Sequence, residues 1–183
     1  MARQAIDVGA AANDRTGDTW RDAFVKVNAN ETELYADVAA LQVPIPTGIV
    51  TMAGNSTAST ITTVDTPVLA AGAFAVGNVS LFTGTTAGRL TYTPTADAVI
   101  TINAVVDIEP ASGTGKDLTT YIAINGAVAA SSGRIATTDT AVPLNVSVIW
   151  QATLSTNDYI EIYVENNTDT IDVLVSGAVL VVS

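Results

Sequence analysis

From Gly48 onward the chain keeps a period of two. Ile100, Ile102, Ala104, Val106 and Ile108 alternate with Thr101, Asn103, Val105 and Asp107. Leu144, Val146, Val148, Trp150 and Ala152 alternate with Asn145, Ser147, Ile149 and Gln151, and Ile160, Ile162 and Val164 with Tyr159, Glu161, Tyr163 and Glu165. Such runs are strands with one buried face. They predict Trp150 in the core and place the pairs Asp107/Glu109 and Glu161/Glu165 on the solvent side. Further strands are predicted over 48–53, 67–70, 73–76, 79–82, 88–93, 118–124, 127–130, 133–137 and 171–182. Turn formers separate them, and Asn125-Gly126 between Ile124 and Ala127 is a two-residue hairpin signal. Many short strands without a fixed repeat predict a mainly β fold, an antiparallel sandwich or barrel. On several strands the second face is not polar either: Val105, Ile149, Tyr121, Tyr163, Leu174 and Leu180 lie on or near it. Such a face is either scattered surface or a subunit interface, and we favour the interface.

The first 42 residues follow another rule. Trp20, Phe24, Val27, Leu34, Val38 and Leu41 recur in steps of four, three, seven, four and three, and Glu31 fills the slot inside the seven. This three-four repeat predicts a helix over 19–41 with one seam of the kind that faces a partner helix, which needs either partner copies or a body to lie on, and with Asp18 or Thr19 as its cap. Val43-Pro44-Ile45-Pro46 ends it, because each proline lacks a donor and pushes the residue before it out of the helical region. The chain thus divides into an arm and helix (1–42), a stiff joint (43–47) and a β body (48–183). Gly9-Ala10-Ala11-Ala12 leads the arm with small side chains, suited to close packing on another protein or to a free terminus.

Composition narrows the chemistry. The 183 residues include no Cys and no His, which removes disulfides, the commonest zinc ligands and the commonest general base. The net charge is −11, with seven basic residues against 18 acidic ones and no basic stripe, so nucleic acid is not an expected partner. The Met-Ala-Arg-Gln start has no apolar core and no apolar run reaches the length of a span, so neither a secretory signal nor membrane insertion is expected. Gly113-Thr114-Gly115-Lys116-Asp117 has part of the spacing of a phosphate loop. It lacks the earlier glycine and has Asp117 where a hydroxyl is needed, so it reads as a hairpin turn. Asp14–Asp18 and Asp169–Asp172 are rich in oxygen but lack the ligand set of a calcium loop. No metal, cofactor or catalytic residue is predicted.

The string from Asp7 to Glu31, with its Val8-Gly9-Ala10-Ala11-Ala12-Asn13-Asp14 lead, its Gly17-Asp18-Thr19 turn and Arg21-Asp22-Ala23-Phe24, resembles an N-terminal segment of tailed-bacteriophage virion proteins: tail-fibre, baseplate and other particle-surface types. Arg15, Trp20 and Glu31 stand where that segment commonly has Gly, Leu and Phe. The β body, through Phe82–Thr93, Val148–Gln151 and Asn157–Thr168, resembles jelly-roll heads of phage surface proteins, similar in build to tumour-necrosis-factor-like trimers. The resemblance implies a non-enzymatic virion protein assembled in the bacterial cytoplasm. It would be a homotrimeric fibre or spike, with Trp20, Phe24, Val27, Leu34, Val38 and Leu41 at the trimer interface. Gly9, Asn13, Asp14, Arg15, Gly17 and Asp18 would dock on other virion proteins, and the exposed head would bind a host-surface glycan or simply project. A capsid decoration protein or head fibre, and a free carbohydrate-binding module, are the alternatives.

Overall fold

The computed structural model describes residues 5–7, 15–17, 19–41, 44–138 and 142–183, and the chain forms two compact units that divide between Pro44 and Ile45. In the first unit, helix α1 runs Trp20–Leu41. Thr19 caps it: its Oγ1 accepts from the Asp22 N–H (3.2 Å) and donates to Asp22 Oδ2 (2.5 Å). Asp22 also places a negative charge in the first turn, where the helix dipole favours it.

The second unit is an antiparallel jelly-roll β-sandwich. Its strands are β1 (Thr47–Ala53), β2 (Ala58–Ser59), β3 (Val68–Leu69), β4 (Ala75–Ser80), β5 (Phe82–Gly84), β6 (Leu90–Tyr92) and β7 (Ala98–Pro110). They continue with β8 (Lys116–Ile124), β9 (Ala127–Val128), β10 (Arg134–Thr138), β11 (Leu144–Leu154), β12 (Tyr159–Asn166) and β13 (Val173–Val182). The first sheet has the order β11-β7-β13-β1-β4, with β2 on β13. The second has the order β10-β8-β12-β6-β5, with β3 on β12 and β9 on β8. The segments read separately at 73–76 and 79–82 are one strand, β4, followed by a crossing to the other sheet at Leu81, whose φ is 60°.

The inward residues of both sheets make one core. Val50, Ile102, Val106, Leu180 and Val182 of the first sheet face Leu90, Ile122, Ile160 and Val164 of the second, all essentially without exposure. Close packing of such side chains is the main stabilising term of a sandwich. Trp150 differs from expectation. It packs against the core but is only partly buried, because β11 is an edge strand and leaves one flank of the ring open.

β13 also departs from the simple alternation. Its register against β7 shifts between Val175 and Gly177, a bulge that inserts one residue. Val173 and Val175 point inward before the bulge, and Ala178, Leu180 and Val182 after it. Leu180, read from the sequence as lying on or near the second face, is therefore in the core, and Val179 and Val181 take the outer side. Gly177 allows the bulge to lie against Asp107, since a Cβ there would sit 2.8 Å from Asp107 Oδ2. The turn Asn125-Gly126 forms as expected, with φ of 54° and 75°, both left-handed. Gly113–Gly115 lies in the connection from β7 to β8, which belong to different sheets, so it is a turn that crosses between the sheets and not the hairpin expected from the sequence.

One core position is polar without compensation. Thr120 on β8 has no exposure, and its Oγ1 has no hydrogen-bond partner. An unmet buried hydroxyl costs more than the same volume in methyl form. Thr120→Val is therefore expected to stabilise the sandwich by about 1 kcal/mol, read as a higher denaturant midpoint at unchanged slope.

Candidate functional site

Three surfaces carry what the fold presents. The first is the seam of α1. Trp20 is 83% exposed and Phe24 61%, with their rings stacked at 6.2 Å between centroids. Leu34 and Val38 are exposed too, and Val27 is half-buried. Leu41 closes the helix, but its side chain lies outside the described residues. Of the residues expected to dock on a particle, Gly9, Asn13, Asp14 and Asp18 also lie outside them. Arg15 is exposed in a left-handed conformation and Gly17 is half-buried.

The second surface is the outer face of the first sheet. Register places Ser147, Val105, Val179 and Thr51 in one row across β11, β7, β13 and β1. The next row holds Ile149, Asn103, Val181 and Ile49. Ile149 is 64% exposed, and Val105 and Val179 are also exposed. Among the strands of this sheet the charged side chains are Asp107 and Glu109, both near one end of β7. Asp107 accepts from Asn145 Nδ2 at 2.8 Å. The centre of the face is thus apolar or neutral on a chain of net charge −11. Both edges, β11 and β4, lack charge and proline inside the strand, which are the usual devices that keep an edge from pairing.

The third surface lies on the second sheet and corrects an expectation. Glu161 and Glu165 alternate with inward residues of β12, yet they are 2% and 5% exposed. Arg89 covers Glu161: its Nε and Nη2 donate to Oε1 at 3.0 and 2.8 Å, and the guanidinium lies 3.8 Å from the Tyr159 ring centroid. Glu165 Oε1 accepts from Tyr121 Oη at 2.7 Å and from Asn167 Nδ2 at 2.5 Å. The two carboxylates stand four residues apart, about 13 Å along a strand, beyond the span that glycoside hydrolysis uses. Each is engaged in holding the sheet together.

Burial, with the Glu165 hydrogen bond next, pushes the Tyr121 phenol up from 10.0 to about 12. Burial and then the Glu161 charge raise Tyr163 as well. A folded value above the unfolded one means that the contribution is present below about pH 10 and is lost as pH climbs toward 12. Alkaline titration followed by phenol absorbance is expected to show late-ionising groups. Tyr121→Phe should remove one of them and flatten the alkaline loss of stability.

The oxygen-rich 169–172 stretch is likewise structural. Lys116 Nζ donates to Asp169, whose carboxyl is held low first by that bond and next by the Ile171 N–H. Asp172 Oδ1 accepts from the Ile61 N–H at 3.0 Å. Among the described residues, no group of three or more acidic side chains is placed to hold a metal ion, and no helix is long and apolar enough to cross a membrane. Sequence reasoning could not pair Arg89 with Glu161, which lie 72 positions apart. A glutamate between two tyrosines of a strand was the one available sign.

No protein-family model matches the chain, and no curated protein sequence does. Solved structures are similar in build. The PRD1 vertex protein P5 is 10% identical with a TM-score of 0.48, over 75% of this chain and 94% of that one. Rabbit GITRL is 11% identical with a TM-score of 0.41, over 74% and 92%. The globular domain of zebrafish complement 1qA is 16% identical with a TM-score of 0.40, over 76% and 96%. At such identities and scores these likenesses say nothing of what this chain binds or joins.

Proposed function

We propose that this chain is a non-enzymatic structural protein of a bacteriophage particle. It is a homotrimeric fibre or spike, with an N-terminal anchor on other virion proteins and an outward jelly-roll head. The observation that carries self-association is the neutral, apolar outer face of the first sheet, bounded by two uncharged edges. The exposed Trp20–Val38 seam supports it, since a helix of this length gains most of its stability from packing. The phage setting rests on the N-terminal segment that resembles virion anchors. The acidic head suits a part that faces solvent, because its field repels other acidic surfaces.

The test separates the two units. A chain beginning at Thr47 is expected to fold but to fail to join particles made without the full-length protein. Imaging a labelled full-length copy places it on tail or capsid, and so distinguishes a fibre from a decoration protein. If the head alone decorates particles at normal occupancy, attachment lies in the sandwich and the anchor reading is wrong.

A further inference from the structure

We infer that Glu31 governs how α1 pairs with copies of itself and makes that pairing pH-dependent; the inference rests on the seam reading above. Phe24, Glu31 and Val38 occupy the a positions of the repeat, and Trp20, Val27, Leu34 and Leu41 the d positions. Val27, Asn30, Glu31 and Leu34 line an open hollow of about 290 Å3. Their spacing of i, i+3, i+4 and i+7 is that of the four-residue hole that receives a side chain from a facing helix. A hole of positions d, g, a and d takes the a residue of a parallel copy in register. Here that residue is Glu31 itself. In a trimer, three carboxylates then converge at one level of the axis, between apolar layers made by Val27 and Leu34.

Among the described residues of the arm and helix, no basic side chain lies beside that layer to offset the charge. The flanking e positions are Arg21, Asn28 and Tyr35, and the g positions are Ala23, Asn30 and Asp37. Arg21 is ten residues away, about 15 Å along the axis, and Asp37 adds a further negative charge. Lys26 sits at c, where its Nζ donates to the Ala5 carbonyl at 3.1 Å. The described arm residues 5–7 meet the helix there and bring one titratable group, Asp7. Like charges brought together between apolar layers disfavour the ionised form. Pairing therefore takes up protons at Glu31, and by linkage it strengthens as pH falls.

The chain has no cysteine, so Ala29→Cys, at an exposed f position, gives the full-length protein a single site for a spin label. Short distances between labels report helix pairing whether or not the heads associate. The paired fraction is expected to rise between about pH 8 and about pH 5. Glu31→Gln should remove that rise. Glu31→Leu should lower the half-pairing concentration at the higher pH by about tenfold or more, since like charges at an interface cost several kcal/mol. Pairing that is insensitive to pH, or a pH dependence that survives in Glu31→Gln, overturns the role of Glu31 while leaving the seam in place. If no variant shows short distances at either pH, the seam reading itself fails and takes this inference with it.

Discussion

Arg89→Met is expected to destabilise the sandwich by about 3 kcal/mol, measured by denaturant unfolding. The substitution keeps a long apolar stem but removes both donors to Glu161 Oε1. The Glu161 side chain is 3% exposed, so its charge would stay buried without a partner. Breaking a buried pair from one side costs about 3–5 kcal/mol. Arg89 itself is 41% exposed, which lets water reach the gap and sets the expectation at the low end. The stacking on Tyr159 contributes a smaller share, about 0.5–1 kcal/mol. Adding Glu161→Met should recover most of the loss, because two apolar side chains leave no unpaired charge. A loss below about 1 kcal/mol for the single change would place the pair among ordinary surface bridges.

On the proposed self-association through the first sheet, Ile149→Glu is expected to prevent assembly while leaving the monomer fold intact. Ile149 is the most exposed of the apolar residues in the two central rows of the first sheet's outer face. In a closed assembly each copy would bring a new carboxylate to the same neutral patch, and like charges there cost several kcal/mol. The half-assembly concentration should rise by about a hundredfold or more, read by sedimentation. Within the single chain the residue faces solvent, so thermal stability of the monomer should move by about 0.5 kcal/mol or less. If Ile149→Glu assembles at the wild-type concentration, this face is not the interface.

Much of the architecture is local chemistry, and for that reason it can be read from the chain. The alternation in β7, β11 and β12 selects strands because side chains on a strand alternate sides. Asn125-Gly126 selects its turn because both residues accept left-handed φ. Thr19 and Asp22 start α1, and the two prolines after it stop its continuation. That Trp20, Phe24, Val27, Leu34 and Val38 share one stripe of α1 likewise follows from spacing, because residues three and four apart lie on one helix face.

The tertiary structure decided the remainder, wherever a side chain's setting depends on atoms far away in sequence. The bulge between Val175 and Gly177 reversed the parity of β13, so that Leu180 turned inward and Val179 outward. One added residue flips every side chain beyond it, and a purely local pattern carries no mark of where it is added. Glu161 and Glu165 lie on the outer side, as alternation requires, yet they are buried, because Arg89, Tyr121 and Asn167 close over them. Trp150 has an inward position but an incomplete cover, because its strand came to rest at a sheet edge. Sequence determines which face a residue takes within an unbroken strand. What covers that face, and where the strand lies in the sheet, are set only when strands distant in the chain are brought together.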